Sequence, residues 1–379
     1  MKKILFLNYE FPPLWWGAAN ANYYLFKELA KYKDIQISLI TSSTWKYKEE
    51  DFSDNIKIYY LDIAKNNESA HFQTNKDLLK YSMKSYFFAK KILKNENYHK
   101  IFSFFGIPCW YIAEKLSKKF DIPYIVSLRG SDVPFYNPRF EKLDKYIFQK
   151  LSKKIWKNAE KTITLSKDLT NLAKKTSSQQ EFTILYNWVD CNFYKPDNNI
   201  KNLENTTNIL FVWRLIQRKW LDYLLEAFKN LSSKYDKLKL YIAWDGPKKE
   251  EYNEYIKVNN LSENVVFLWN LPKDKLLQIY QKAHIFVLPS LNEALWNVTQ
   301  EALACWIPII TTKTWAAEFI KDWENWYVID KKNSKQIEEK LDILIKNKNL
   351  TKKMRENSRK VALDHSWKNV AEKIYEFLK

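Results

Sequence analysis

Apolar and polar positions along the 379-residue chain run through the same rhythm twice. Residues 3–9 (KILFLNY) are apolar enough to form a central parallel strand, buried on both faces. A helical spacing follows from about Ala18 to Tyr32. Further strands are predicted at 35–41, 56–62, 100–105, 123–129, 161–165 and 182–187, with helices around 76–95, 109–120, 139–157 and 167–176. Residues 195–207 (KPDNNIKNLENTT) are polar, carry a proline and read as the best linker in the chain. The rhythm then restarts. Strands are predicted at 208–213, 238–243, 265–269, 285–289, 308–312 and 326–329, and helices near 219–233, 248–259, 273–282, 297–305 and 333–347. Helical stretches at 350–364 and about 366–378 close the chain. Two successive βα arrays of similar size predict an α/β chain of two doubly wound domains, 1–195 and 196–360, with a C-terminal helix in 361–379.

Composition narrows the picture. At this length each domain can bury its own core, and 46% hydrophobic residues mark a globular chain rather than a disordered one. No apolar run approaches the ~20 residues that span a bilayer. The opening Met1-Lys2-Lys3-Ile4-Leu5-Phe6-Leu7-Asn8 has the charge of a signal peptide, but its apolar run is too short and reads as a buried strand. Cys109, Cys191 and Cys305 show no CxxC spacing, which points to a reduced, cytoplasmic chain. His71, His99, His284 and His365 show no metal-ligand spacing, so no metal is expected. A formal charge of +18 favours acidic partners, among them nucleotides and anionic lipid headgroups. The abundance of Lys, Asn, Ile and Tyr expected of an AT-rich genome explains that charge equally well. Lys80, Lys84, Lys90, Lys91, Lys94, Lys100, Lys115, Lys118 and Lys119 crowd the N-terminal half. If several share a face, that half rests peripherally on an anionic membrane surface; a solvated charged face is the plainer reading.

One compositional feature changes how every loop is read. The chain has four glycines and sixteen tryptophans, where about 7% glycine is usual. Fourteen of the tryptophans stand where their neighbours call for glycine, as in Phe211-Val212-Trp213-Arg214, Ala243-Trp244-Asp245-Gly246-Pro247 and Cys305-Trp306-Ile307-Pro308. These are strand ends and tight turns, where glycine supplies positive φ or close backbone approach. UGA encodes glycine in some genetic codes and tryptophan in others, and the pattern predicts a gene read with the wrong one. Trp156, in an amphipathic helical stretch, and Trp367 are the two that fit as tryptophan. The rival reading is a Trp-rich surface for stacking on sugars; it is weaker, because the tryptophans follow turns rather than one face.

Four segments carry candidate chemistry. The most specific is Pro289-Ser290-Leu291-Asn292-Glu293-Ala294-Leu295-Trp296-Asn297-Val298-Thr299-Gln300-Glu301-Ala302-Leu303-Ala304-Cys305-Trp306-Ile307-Pro308. With Trp296 and Trp306 as glycine, it resembles the E-x7-E motif of the family 4 type (glycosyl transferases group 1) of retaining glycosyltransferases, which have the GT-B fold. Phe211-Val212-Trp213-Arg214-Leu215-Ile216-Gln217-Arg218-Lys219-Trp220 is similar to that family's G-R-L-x-x-x-K-G segment. Pro12-Pro13-Leu14-Trp15-Trp16-Gly17-Ala18 resembles its P-P-x-G-G-G-A loop, and Leu128-Arg129-Gly130-Ser131-Asp132 stands where many relatives carry H-G-x-D. The likeness runs from residue 3 to 378.

The resemblance implies two Rossmann-like domains facing a cleft, the N-terminal one holding the acceptor and the C-terminal one a UDP-, GDP- or ADP-sugar. It implies that the last helix crosses back to the first domain. Glu293 faces the sugar hydroxyls, Glu301 the ribose diol, and Arg214 and Lys219 neutralise the departing diphosphate. Arg218 is the nearby competitor, but Lys219 is the matched position. Leu295, Trp296, Asn297 and Val298 form the helix entry that offers free N–H groups to the diphosphate. Trp16 and Gly17 bring backbone N–H groups to the donor phosphates from the first domain. Arg129 replaces the histidine that often faces the transferred sugar, and Asp132 either binds an acceptor hydroxyl or caps the turn. No D-x-D pair occurs, so a metal-bridged diphosphate is not expected, and no cofactor or nucleic acid is called for. The implied activity is hexosyl transfer with retention of configuration to a glycan or lipid-linked hydroxyl, in surface glycan or glycolipid synthesis. Alternatives on the same fold are a sugar-nucleotide epimerase or a phosphorylase, and outside catalysis a carbohydrate-binding protein using tryptophans as stacking platforms.

Overall fold

The computed structural model of the chain describes residues 1–379 except 13–16, 44–45, 64–73, 107, 138–139, 198–205, 213–220, 244–248, 270, 290–296 and 313–323. Contacts divide the chain into two compact units. One is Met1–Asn187 together with Trp367–Lys379, and the other is Trp188–Ser366.

The first unit is built on eight strands: β1 (Lys2–Leu7), β2 (Ile35–Ser43), β3 (Lys48–Ser53), β4 (Ile56–Asp62), β5 (Lys100–Phe104), β6 (Tyr124–Ser127), β7 (Lys161–Thr164) and β8 (Thr183–Ile184). They lie in the order β3-β4-β2-β1-β5-β6-β7-β8, parallel except for the β3–β4 hairpin. Ile4 to Leu7 are fully buried, as a central parallel strand covered on both faces must be. Phe6 stacks on Phe102 at 4.7 Å and meets the edge of Phe26 at 5.2 Å. Helices α1 (Gly17–Leu29), α2 (Asn75–Asn95), α3 (Cys109–Phe120), α4 (Glu141–Leu143), α5 (Gln149–Asn158) and α6 (Lys167–Thr176) complete the crossovers, with a π-helical turn at Asp144–Phe148 between α4 and α5. A capping box opens α2: Thr74 Oγ1 accepts from the Asp77 N–H, and Asp77 Oδ2 accepts from the Thr74 N–H.

The second unit holds β9 (Thr207–Val212), β10 (Leu238–Ala243), β11 (Val265–Leu268), β12 (Ile285–Leu288), β13 (Ile309–Thr312) and β14 (Trp326–Ile329), all parallel, in the order β11-β10-β9-β12-β13-β14. This is the 3-2-1-4-5-6 order of the doubly wound dinucleotide fold, whose winding reverses between its first and fourth strands. Helices α7 (Leu221–Ser232), α8 (Lys249–Val258), α9 (Lys273–Lys282), α10 (Asn297–Ala304), α11 (Ser334–Lys346) and α12 (Lys348–Asp364) surround it.

The segment before the expected linker belongs to this second unit. Trp188 stacks on His365 at 4.9 Å. The Arg359 guanidinium donates to the carbonyls of Cys191, Tyr194 and Ala304 at 2.7–3.0 Å, so residues 188–194 are tied to α10 and α12. The first eight residues after Asn187 therefore pack with the second unit although their sequence is continuous with the first. The final helix, α13 (Trp367–Leu378), joins the first unit. Trp367, Ala371, Ile374 and Leu378 are buried in one cluster with Leu25, Phe26 and Leu29 of α1, each large side chain adding about 1.5–3 kcal/mol of burial. Tyr375 stacks on Tyr32 at 3.9 Å and donates its hydroxyl to Asp34.

Candidate active site

Strand order sets side by side the two strands that precede the most specific motifs. β9 and β12 are hydrogen-bonded neighbours, with Ile209 opposite Ile285 and Leu210 opposite Phe286. Val212 closes β9 and Leu288 closes β12, so the segment with Arg214 and Lys219 and the segment with Glu293 both depart from the carboxyl edge at the reversal of winding. Open α/β sheets bind ligands at that point. Arg214, Lys219, Glu293, Leu295 and Trp296 themselves lie outside the described residues, as does Trp16; Gly17 opens α1.

The chain returns to view at Asn297, the first residue of α10, with Asn297 exposed, Val298 half-buried, and Thr299 and Gln300 buried. Glu301 follows one turn in. Its Oε2 accepts a 2.8 Å hydrogen bond from the Tyr280 hydroxyl of α9. Tyr280 is fully buried, meets Tyr194 edge-to-face at 6.0 Å, and Tyr194 also hydrogen-bonds the Glu301 carboxylate. Burial pushes the Glu301 carboxyl up from its ordinary 4.5, against the pull of the two phenols and the more distant Lys273. A carboxylate fixed this way is a pre-oriented acceptor for hydroxyl donors. Tyr194 and Tyr280 were not among the sequence-predicted residues; 86 positions separate them, and Tyr280 of α9 and Tyr194, whose carbonyl is held by Arg359 of α12, meet only in the folded unit.

That burial has a thermodynamic sign. A carboxyl whose folded value is raised holds its proton more tightly when folded, so stability falls as pH rises from 4.5 through the folded value. Glu301→Gln is therefore expected to raise the neutral-pH melting temperature while weakening the site. A gain that persists below pH 4.5 in thermal melts would assign the effect to packing instead.

The end of α10 bears on the tryptophan question. Trp306 has φ +66°, the left-handed conformation. The N–H of Ile307 bonds to the carbonyl of Ala302, and the N–H of Trp306 to that of Leu303. This is the C-terminal stop that glycine ordinarily supplies, and a Cβ there costs about 1–2 kcal/mol. Trp306→Gly is expected to raise the melting temperature by about 2–4 °C, and Trp306→Ala, which keeps the Cβ, is not. Equal effects would remove the backbone explanation. Trp110 and Trp326, by contrast, are fully buried, so the packing accommodates an indole at both. Five of the seven described tryptophans (Trp110, Trp156, Trp188, Trp326 and Trp367) are buried, and buried rings offer no platform for stacking on sugars.

In the first unit, Arg129 and Asp132 follow β6 at the carboxyl edge. Asp132 accepts from the N–H groups of Arg129 and Gly130 at 2.7–3.1 Å, closing a turn in which Gly130 has φ +129°. Burial raises its carboxyl against those hydrogen bonds. Of the two roles weighed for Asp132, the turn cap is the one its contacts display. The Arg129 guanidinium lies 3.5 Å from the centroid of the Phe104 ring and donates to Asn187 Oδ1. Burial pulls it down to about 9, opposed by Asp132. Asn8 Nδ2, just after β1, and both side-chain polar atoms of Asn22 in α1 are buried without a hydrogen-bond partner among the described residues. Such groups are costly unless something binds them, and nothing in the linear pattern singled them out.

Two family models tile the chain. Glycosyl transferases group 1 matches residues 195–361 and Glycosyltransferase Family 4 matches residues 16–193. The chain is a group 1 glycosyltransferase with the GT-B fold. It is 25% identical over 353 residues to an uncharacterized glycosyltransferase of Methanocaldococcus jannaschii, covering 92% of each. It is 27% identical to the capsular polysaccharide biosynthesis glycosyltransferase CapM of Staphylococcus aureus over 50% of this chain and 52% of that one. Among solved structures, sucrose-phosphate synthase of Thermosynechococcus elongatus superposes with a TM-score of 0.76 at 15% identity, covering 100% of this chain and 98% of that one. The Anabaena protein HepE, solved with UDP, gives 0.73 at 18% identity, covering 100% and 99%.

Proposed function

We propose that the chain transfers a hexose from a nucleotide-diphosphate sugar to a hydroxyl acceptor with retention of configuration. The observation that carries this reading is the pairing of β9 with β12, which sends both motif segments off neighbouring strand ends. The bond between the sugar C1 and the diphosphate oxygen breaks, and the nucleotide leaves with the electron pair. Arg214, Lys219 and the N–H groups at the start of α10 take up the charge that develops there. Glu293 holds the sugar hydroxyls and Glu301 the ribose diol. The acceptor oxygen attacks C1 from the face the nucleotide leaves, and its proton passes to a departing diphosphate oxygen. No metal takes part in this scheme. The first unit takes the acceptor.

UDP bound to HepE supports a uridine donor, with GDP- and ADP-sugars as the other arms of the test. The likeness to CapM supports a surface-glycan acceptor, and three free, buried cysteines support a cytoplasmic site of action. Glycine at the fourteen positions that the sequence pattern marks belongs to the same reading, supported by the left-handed φ of Trp306. Peptide masses of the protein from its native host, covering Trp15, Trp213, Trp296 and Trp306, test it. Glycine masses are expected; tryptophan masses at these positions would leave indoles in the phosphate loops and remove catalysis from the reading.

A further inference from the structure

We propose that the layer formed by α2, α3 and α5 on the first unit is a docking face for an anionic lipid bilayer. The strand order sends β1 to β2 in one direction and β5 to β6 to β7 in the other. Right-handed crossovers therefore put α1 on one side of the sheet and α3 and α5 on the other. α3 packs against both α2 and α5, so the three form one layer.

Its outer surface is apolar where a solvated face is polar. On α2, Leu79, Met83 and Phe87 recur every fourth residue and are 63%, 56% and 62% exposed, while Tyr81, Ser85, Ala89 and Leu93 turn to the core. Between α4 and α5, Tyr146 and Ile147 are 67% and 54% exposed. Single exposed apolar side chains are ordinary; a repeated stripe of large ones on α2, which packs against α3 with its own Tyr111 40% exposed, marks an interaction surface.

Charge names the occupant. α2 carries six lysines and one aspartate, α3 three lysines and one glutamate, and residues 141–158 six lysines with one aspartate and one glutamate. Fifteen lysines less four acids give +11 over these helices, out of +18 for the whole chain. Glu114 is buried and paired with Lys118. A second copy would present the same positive face and repel. Nucleic acid would satisfy the lysines but gain nothing from Leu79, Met83 and Phe87. A bilayer with anionic headgroups satisfies both, with apolar anchors in the acyl boundary and lysine stems extended to the headgroups.

Co-sedimentation of the purified full chain with vesicles tests this without any sugar nucleotide, so its outcome is independent of the transfer reading. Binding is expected to vesicles of one part phosphatidylglycerol to two parts phosphatidylcholine, and not to phosphatidylcholine alone. Phe87→Glu combined with Tyr146→Glu, and separately Lys80→Gln with Lys84→Gln and Lys91→Gln, are each expected to lower partitioning roughly a hundredfold. Melting temperature and nucleotide binding should stay unchanged in both, which separates lost docking from lost folding. Three results would overturn the proposal: equal binding to the neutral vesicles, loss in the lysine variant with none in the apolar one (as an electrostatic nucleic-acid surface would give), or a concentration-dependent dimer that Phe87→Glu breaks.

Discussion

Arg214→Ala, made in a chain carrying glycine at the turn positions, is expected to lower kcat for sugar transfer by about 10²–10³-fold. Lys219→Ala is expected to do the same. The transition state of the proposed reaction places growing negative charge on the leaving diphosphate, and groups that meet charge only as it develops act on kcat. Both residues lie in the segment that follows β9, next to the strand that launches Glu293. Arg218→Ala is the internal control. It removes the same positive charge one position before Lys219, and a long-range field effect would make it equal to the other two. Near-wild-type turnover in Arg218→Ala, beside the large losses elsewhere, separates specific contact from general basicity. If all three variants keep their activity, the cation assignment is wrong.

The second large effect is the restoration itself. A chain with glycine at Trp16, Trp213 and Trp296 is expected to turn over donor at least about 10²-fold faster than the chain with tryptophan there, since a misplacement near 1 Å in a reacting site already costs that much. Backbone N–H groups bind phosphate only at direct hydrogen-bond distance; Trp213 directly follows β9, and Trp16 and Trp296 directly precede α1 and α10, so indoles there are expected to compete with phosphate for those N–H groups. Trp306 sits in a glycine conformation, whereas Trp110 and Trp326 are fully buried. Restoring glycine at the buried pair is expected to remove packing, while restoration at the loop positions changes activity. Comparing kcat and melting temperature for the two groups of variants separates these effects. A loop-restored chain no faster than the original would mean that the tryptophans do not obstruct the site.

Much of the second unit was legible because its strands are short, wholly apolar runs bounded by turn residues, from Ile209 to Val212 and from Ile285 to Leu288. Parallel strands buried on both faces leave that signature. The hairpin strand β3 left none. Its sequence, KEEDFS, is charged and half-exposed, and it exists through backbone pairing to β4 and through the Asn55 side chain, which donates to the carbonyls of Tyr32 and Ile35. Edge strands are polar for solubility, so the apolar pattern passes over them. The helix expected over 139–157 runs without interruption from Glu141 to Asn158 but widens to a π turn at Asp144–Phe148, where the buried Asp144 carboxylate accepts from the Phe135 N–H. An aspartate bound to a loop nine residues away is invisible to a periodicity.

The site divides along the same line. Glu293, Glu301, Arg214 and Lys219 could be named because a motif holds them at fixed spacing. The tyrosines that grip Glu301 and the buried amides of Asn8 and Asn22 have no spacing to give them away. Arg129 was visible as a departure from pattern, but its stacking on Phe104 and its bond to Asn187 join three separate segments of the chain.

Calorimetric titration of UDP-, GDP- and ADP-sugars into the glycine-bearing chain, and into its Arg214→Ala and Glu301→Ala variants, tests the donor site most directly. One nucleotide class should bind saturably, with affinity at least about tenfold weaker in each variant, in line with the loss of one charged hydrogen-bonding partner. Undiminished affinity in both variants would contradict the assignment of donor binding to the carboxyl edge of β9 and β12.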